Sequence, residues 1–305
     1  MTPQITWTSW VMIAILGLIW GSTFMVIEFA LMGMTPIWVA AARIIFAAPI
    51  LAGFWAFRGK PLTDTAARLP AHYLIINAAF SFVMPFCLIA WGQQYVTSGF
   101  VGISMSTVPI WLLPMAHFFV MGEQLTLRRM IGVTTGFIGV LILIGPGALR
   151  LGTGMELWGQ LACLGAAFCY GVGAIVMRRL PPCDPIALAG ALTLISAVMI
   201  VPVAFAIDGR PALPTGNAVW ALVVLGLVPT AFATLLRVYV IRTAGPTFMT
   251  LTNFQVPLWS VFLGMWILKE PASATIWLAL ALVLLGLGIS QFGALTRLFA
   301  AREVT

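Results

Sequence analysis

Two stretches of this chain resemble each other, and each is long enough to cross a lipid bilayer. They are residues 98–123 and 246–270. Their prolines and tryptophans fall in register at a spacing of 148 residues, pairing Pro109 with Pro257 and Trp111 with Trp259. A membrane segment that recurs in this way indicates an internal duplication, and repeats of this kind are common in secondary transporters.

The composition supports a chain surrounded by lipid. Of the 305 residues, 62% are hydrophobic and only 8% are charged, whereas a soluble chain is about 25% charged. A spanning helix needs roughly 20 mostly apolar residues, and barrel strands would alternate in polarity. The continuous apolar runs predict ten transmembrane helices, at 8–29, 36–57, 70–91, 99–121, 127–145, 158–178, 186–207, 217–241, 246–268 and 273–293.

The ten helices divide into two repeats of five. We predict a first repeat over residues 1–146, a second over 157–293 and a short cytoplasmic tail over 294–305. Because five is odd, the second repeat enters the membrane upside down relative to the first. The predicted fold is therefore an all-α polytopic membrane protein built from two inverted five-helix repeats.

The basic residues indicate an orientation. The net charge is +7, but the charges are unevenly distributed. If the helices alternate, ten basic residues lie on one side, namely Arg58, Lys60, Arg68, Arg128, Arg129, Arg178, Arg179, Arg242, Arg297 and Arg302. Only Arg150, Arg210 and Lys269 lie on the other. By the positive-inside rule both termini are expected in the cytoplasm, and the basic excess implies no nucleic-acid partner.

The first two predicted spans each contain one charged residue, Glu28 and Arg43. Arg43 lies about two turns inside the second span, where an arginine is costly unless it is paired or hydrated. Glu28, near the end of the first span, is the nearest partner in the topology, so we expect a structural Glu28–Arg43 pair. The alternative is that Arg43 contacts a carboxylate of the substrate.

Several polar and aromatic positions are candidates for a substrate site. Prolines inside spans kink helices and free carbonyl groups, which is tolerated where the backbone lines a cavity. Trp20 and Tyr170 are equivalent at a spacing of 150, and Tyr239 matches Tyr95 at 144. The candidate cavity residues are Trp20, Asn77, Ser81, Met84, Met105, Trp111, Tyr170, Tyr239, Asn253 and Trp259. Helix packing is the alternative role for each.

The chain resembles the EamA-type ten-span branch of the drug/metabolite transporter superfamily. The resemblance rests on Trp20-Gly21-Ser22-Thr23-Phe24, on Arg43, and on Pro109 followed by Gly122-Glu123. The second repeat keeps Pro257 and Glu270 but has Lys269 in place of the glycine. The resemblance implies a central cavity lined by spans 1, 3, 4, 6, 8 and 9, and structural roles for Glu123 and Glu270. It is greatest to bacterial exporters of aromatic amino acids.

These observations favour an inner-membrane exporter of amino acids, with aromatic and other large apolar side chains preferred. The alternative is an exporter of another small metabolite or a drug, with or without coupling to protons. The chain carries no HExxH or Gly-x-Ser-x-Gly motif and no pair of acidic residues within its spans, so no enzymatic activity is expected. We expect no cofactor and no metal, and partners limited to the small-molecule substrate and the bilayer, with a monomeric chain.

Overall fold

The computed structural model describes residues 5–62, 70–120, 126–144, 154–271 and 273–300. Within these residues the chain is helical, as predicted, and contains no strand. Gly122, Glu123, most of the connection between the repeats and the last five residues lie outside the described part.

The first repeat contains five spans. Span 1 is α1 (Trp7–Leu31) and span 2 is α2 (Pro36–Arg58). Span 3 is α3 (Ala71–Ala78), a π-helical segment (Ala79–Val83) and α4 (Met84–Gly92) in one continuous run. Span 4 is α5 (Ser98–Met105) followed by α6 (Val108–Phe119), and span 5 is α7 (Leu127–Ile144).

The second repeat follows the same plan. Span 6 is α8 (Glu156–Met177) and span 7 is α9 (Pro185–Asp208). Span 8 is α10 (Asn217–Leu225), a π-helical segment (Gly226–Phe232) and α11 (Ala233–Ala244). Span 9 is α12 (Pro246–Met249) followed by α13 (Thr252–Trp266), and span 10 is α14 (Ala274–Ala300).

Nine of these runs, in the described part of the chain, are long and apolar enough to cross a membrane. Span 9 is the exception, because a turn at Thr250 and Leu251 leaves α13 with 15 residues. Span 4 is also interrupted, at Ser106 and Thr107, immediately before Pro109. Proline lacks a backbone N–H and disrupts the preceding turn, which accounts for the break in span 4. In span 9 the break lies six residues before Pro257, which is inside α13. Spans 4 and 9 therefore each consist of two helical pieces, but only in span 4 does the proline follow the break closely.

The helices of each repeat pack mainly on helices of the other repeat, an arrangement we call an exchange of partners. Span 1 packs on span 9 and on span 8, while span 6 packs on span 4 and on span 3. Span 2 packs on span 7, and span 5 on span 10. Each of these contacts joins one repeat to the other, so the core belongs to both repeats.

Small residues allow the closest of these contacts. A Cβ atom on Gly132 of span 5 would lie 2.6 Å from the Gly286 carbonyl oxygen of span 10. A Cβ atom on Gly139 would lie 3.0 Å from the Leu282 side chain. Glycines let helix backbones approach closely in a membrane, so spans 5 and 10 form a tight pair.

Candidate functional site

Two tryptophan–glycine contacts repeat across the core. Gly21 of span 1 lies against Trp259 of span 9, so closely that a side chain at Gly21 would collide with the Trp259 Cβ atom. In the other half, a Cβ atom on Gly171 of span 6 would lie 3.5 Å from the Cβ atom of Trp111 on span 4. The predicted pairs Trp111/Trp259 and Trp20-Gly21/Tyr170-Gly171 therefore meet at equivalent places in the two halves.

Trp20 itself is a packing residue. Its indole Nε1 donates to the carbonyl oxygen of Pro229 at 3.2 Å, and its ring packs with Ile13, Leu16 and Ala233. Pro229 lies in the π-helical segment of span 8. Trp20 thus satisfies a backbone carbonyl at the irregular point of that span.

Trp111 retains an unused hydrogen-bond donor. Its Nε1 atom is buried and has no hydrogen-bond partner among the described residues, while its ring makes an edge contact with Phe168 at 5.8 Å between centroids. A buried indole N–H normally finds a partner. Trp111 therefore carries a buried N–H donor that no described residue satisfies.

Asn77 and Ser81 serve a contact between helices rather than an open surface. Asn77 is fully buried, its Nδ2 donates to the Gly173 carbonyl at 2.9 Å, and its Oδ1 accepts from the Ser81 hydroxyl at 3.1 Å. Both groups of the amide are thus bonded between spans 3 and 6. We predicted that Asn77 offers a free hydrogen bond to substrate, and the structure corrects this.

Tyr239 also differs from the prediction. It is 53% exposed and lies seven residues from Phe232, which is 51% exposed. The adjoining faces of span 8 pack on span 1 through Ala233, Val240 and Ala244, and on spans 2 and 7 through Ala231. The face that carries Tyr239 is therefore the outer face of span 8, and it does not line the interior.

The remaining candidates occupy different surroundings. Met84 is exposed on span 3, and Met105 packs against the main buried cluster. Asn253 is half-buried, and no described group bonds its side-chain amide. It lies seven residues before Ser260, whose hydroxyl bonds the Ser98 carbonyl of span 4. Asn253 thus shares the face of α13 that points towards span 4.

The predicted pair of Glu28 and Arg43 is not formed. Glu28 accepts from the Gln93 side-chain amide at 3.0 Å, and the same nitrogen donates to the Phe24 carbonyl. Arg43 instead points to span 8, where its Nε donates to the Thr230 hydroxyl at 2.8 Å. The sequence could not distinguish these arrangements, because both place Arg43 beside a polar partner.

Arg43 is anchored by a hydrogen-bond chain that begins at a proline. Pro229 has no N–H, so a carbonyl in the preceding turn of span 8 loses its usual donor. The Thr230 hydroxyl donates to the Leu225 carbonyl at 2.8 Å and accepts from Arg43. The Arg43 guanidinium carbon also lies 3.9 Å from the centre of the Phe86 ring on span 3. A backbone irregularity therefore fixes a cation between spans 2, 3 and 8.

Arg237 is a candidate that the sequence interpretation passed over. The Thr234 hydroxyl bonds the Thr230 carbonyl, so these two residues share one face of span 8, and Arg237 lies three residues further along that face. This face is opposite Tyr239. Arg237 is exposed, and it lies seven residues from the end of α11. The spacing of Thr230, Thr234 and Arg237 was the signal that could have identified it.

Charged clusters tie the helices together at both ends of the bundle. At one end, which we call the basic face, Asp184 accepts from Arg242 at 3.2 Å and lies 3.6 Å from Arg58. Burial alone would raise the pKa of Asp184, but bonds from the Ala187 N–H, Arg242 and the Ile186 N–H, together with Arg58, hold that pKa below its usual value. Spans 2, 7 and 8 are joined there.

At the opposite face, Glu270 caps span 4. Its carboxylate accepts from the backbone N–H groups of Ser98 at 2.7 Å and Gly99 at 3.2 Å. Lys269, the residue before it, has a φ of 57°, in the left-handed region that favours glycine. This is the position at which the first repeat has Gly122. Glu270 therefore has the structural role expected of it. It caps span 4, which belongs to the other repeat.

Comparison with known proteins agrees with this architecture. A model of the EamA-like transporter family matches residues 7–145 and again 157–291. The uncharacterized inner membrane transporter YedA of Escherichia coli (strain K12) is 27% identical over 300 residues, covering 95% of this chain and 92% of that protein. The uncharacterized transporter YoaV of Bacillus subtilis (strain 168) is 24% identical over 277 residues, covering 90% and 94%. A solved crystal structure superposes with a TM-score of 0.65 at 17% identity, covering 94% of this chain and 98% of that chain.

Proposed function

Since this chain belongs to the EamA-like transporter family, we propose that it exports amino acids with aromatic or other large apolar side chains by alternating access. We further propose that it does so in a bacterial inner membrane, with its basic face in the cytoplasm. That the chain is a membrane transporter and not an enzyme follows from the family and from its relatives. The direction of transport and the substrate are the proposal.

The observation that carries the proposal is the repeated tryptophan–glycine contact in the core. Trp111 and Trp259 lie at equivalent places on spans 4 and 9, against Gly171 and Gly21 of spans 6 and 1. An indole near the middle of the bundle offers an apolar surface to an aromatic solute, and aromatic pairs contribute about 0.5–1.5 kcal/mol beyond burial of area. That modest energy suits a carrier, which must also release its substrate.

Two polar groups near these rings support an amino acid in particular. The Trp111 Nε1 donor and the Asn253 amide have no described hydrogen-bond partner. An N–H donor suits a carboxylate, and an amide oxygen suits an ammonium group. Neither group carries a formal charge.

The inverted repeats support the alternating-access part. Related halves that exchange partners supply two conformations of similar energy, open to opposite sides. The repeat-related spans share these irregularities: spans 4 and 9 are each interrupted, and spans 3 and 8 each contain a π-helical segment. Such irregular points are where a membrane helix bends.

Transport by the purified chain in proteoliposomes tests the proposal. We expect counterflow of phenylalanine and tryptophan to exceed that of threonine, and Trp111→Ala and Asn253→Ala each to reduce phenylalanine transport more than threonine transport. Trp266→Ala is the matched control, because Trp266 is 63% exposed on α13. Equal rates for all amino acids in parent and variants, or no transport of any of them by the parent, would refute the amino-acid assignment. Repeating the assay with a pH gradient shows whether protons are coupled.

A second candidate substrate is another small metabolite, as the sequence analysis also allowed. The observation that favours it is the cationic Arg43 side chain near the middle of the bundle. This feature leads to the inference below.

A further inference from the structure

We propose that the Arg43 guanidinium is the substrate-binding group of this transporter, and that it binds a carboxylate. The inference rests on the proposed transport function but not on the choice of amino acids. A carboxylate on an amino acid and one on a simple organic acid offer the same chemistry to Arg43. The experiment below separates these two sources.

Arg43 has binding capacity that the protein does not use. It is 8% exposed, and among the described residues only Thr230 accepts a hydrogen bond from it, through Nε. Its two terminal nitrogens donate to no described residue, and no described carboxylate lies within ion-pair distance. A guanidinium presents a planar fork of donors that matches the two oxygens of a carboxylate. The donors that the protein leaves unused therefore suit a carboxylate.

Arg43 is also held in position for such a role. Thr230 fixes one side of the guanidinium, and the Phe86 ring lies beneath its plane at 3.9 Å. Thr230 lies near the middle of the helical run Asn217–Ala244, which places the guanidinium far from either membrane surface. An ionisable side chain inside a membrane is costly and commonly marks a substrate pathway. A purely structural arginine would be expected to have a counter-ion there, and the described residues supply none.

The electrostatic field of the interior favours an anion. Arg237 lies on the same face of span 8 as Thr230, seven residues further along, and also has no described partner. The described acidic residues all lie at or near helix ends: Glu28, Glu156, Asp184, Asp208 and Glu270. The middle of the bundle thus holds the positive charge of Arg43 and no described negative one, and Arg237 adds a second positive charge between the middle and the basic end of span 8. Such an interior raises the local concentration of anions and repels cations.

The surroundings of Arg43 also allow for an apolar or aromatic substituent on the carboxylate. Tyr170 of span 6 packs against the buried cluster that contains Phe86 of span 3 and Ile44, the residue next to Arg43 on span 2. The ligand class is therefore an organic acid whose carboxylate meets Arg43 and whose apolar part meets aromatic side chains.

Ligand binding to the purified full chain in detergent provides the test, with three compounds that share one ring and one chain length. Phenylalanine carries both charged groups, 3-phenylpropionate only the carboxylate, and 2-phenylethylamine only the ammonium. We expect the parent to bind 3-phenylpropionate and not the amine. Arg43→Gln should weaken binding of the carboxylate by roughly 10- to 100-fold, the loss expected for a charge-assisted hydrogen bond. Arg210→Gln is the matched control, since Arg210 is exposed at the far end of span 7.

The outcomes separate the two proposals. Binding of 3-phenylpropionate without phenylalanine would support the carboxylate site and refute amino-acid transport. Binding of phenylalanine that is equally strong in parent and folded Arg43→Gln would refute the carboxylate site and leave amino-acid transport standing. A parent that binds only the amine, or none of the three, refutes the carboxylate site.

If Arg43→Gln does not elute as a single species, Arg43→Lys replaces it. Lysine keeps the positive charge and loses the planar fork, so carboxylate binding should persist at reduced affinity. Unchanged affinity in Arg43→Lys, with lower thermal stability, would show that Arg43 is only structural.

Discussion

At the scale of single residues, Asp184 at the end of a span is paired, in contrast to Arg43 in the middle. Asp184 precedes α9 and accepts hydrogen bonds from the Ile186 and Ala187 N–H groups at 3.0 and 3.1 Å. Its other oxygen faces Arg242 and Arg58. One carboxylate therefore caps a helix and joins it to two further spans.

Removing the charge of Asp184 should have a pH-dependent effect. Because its pKa is lower in the folded chain than in the unfolded one, its stabilisation is complete above the unfolded value of about 3.9 and is lost as pH falls through the folded value. The arginines are 30% and 45% exposed, so Asp184→Asn should cost only about 0.2–1 kcal/mol. Asp184→Ala, which also removes the cap, should cost about 1 kcal/mol more.

Thermal unfolding in detergent measures both effects. We expect the melting temperatures of parent and Asp184→Asn to differ at pH 7 and to converge below about pH 4. A constant difference across that range would mean that the carboxylate charge contributes nothing.

The residues that the sequence predicted least well are those whose partners come from the other repeat. Periodicity could place Asn77 on a polar stripe but could not reveal that the Gly173 carbonyl of span 6 would occupy its amide. In the same way, Tyr239 and Arg237 are two residues apart, and only the packing of span 8 shows which of them points inward. Such partners depend on how the repeats dock, which no local pattern records.

At the scale of helices, the capping of span 4 by Glu270 joins two elements that are distant in sequence. The N-terminus of a helix carries free N–H groups and a partial positive charge, which a carboxylate stabilises. Thr97 bonds the Phe100 N–H, while Glu270 bonds those of Ser98 and Gly99. The cap therefore attaches span 4 of the first repeat to the end of span 9 of the second.

Loss of this cap should destabilise the chain measurably. We expect Glu270→Ala to lower the free energy of unfolding by about 1–3 kcal/mol, because two backbone donors lose a charged acceptor. Glu270→Gln, which keeps one acceptor oxygen, should cost less. Glu156→Gln is a fitting control, since Glu156 is exposed in the first turn of α8 and, among the described residues, bonds only Gln160 of its own helix. Equal melting temperatures for the Glu270 and Glu156 variants would contradict the assigned role.

The sequence predicted where the helices lie, but it did not predict where they are interrupted or become π-helical. Apolar runs placed all ten spans within a few residues, except that α14 extends to Ala300. The π-helical segments and the turn at Thr250 and Leu251 were not predicted. An apolar run shows that a segment crosses the bilayer, but a local change of hydrogen-bond pattern depends on groups such as Thr230 that satisfy the freed carbonyls.

At the scale of the whole molecule, the exchange of partners makes each repeat dependent on the other. Span 1 packs on spans 8 and 9, and span 6 on spans 3 and 4. The first helix of each repeat, span 1 or span 6, is therefore packed by helices of the other repeat. The connection at the basic face through Asp184 and the one at the opposite face through Glu270 each involve both repeats. Opening the bundle at one face would therefore require that face's carboxylate contacts to rearrange.

The orientation of the molecule in the membrane gives the last prediction. Ten basic residues lie on one side of the membrane and three on the other. By the positive-inside rule, the side with ten, which is the basic face, is expected in the cytoplasm. A fluorescent reporter that matures only in the cytoplasm, fused after Thr305, should therefore give signal. Alkaline phosphatase, which is active only outside the cytoplasm, should be active when inserted near Leu213 between α9 and α10 and inactive after Thr305. Phosphatase activity after Thr305 would reverse the orientation. Fluorescence from the reporter at both sites would contradict the three spans that separate Leu213 from Thr305, and with them the ten-span topology.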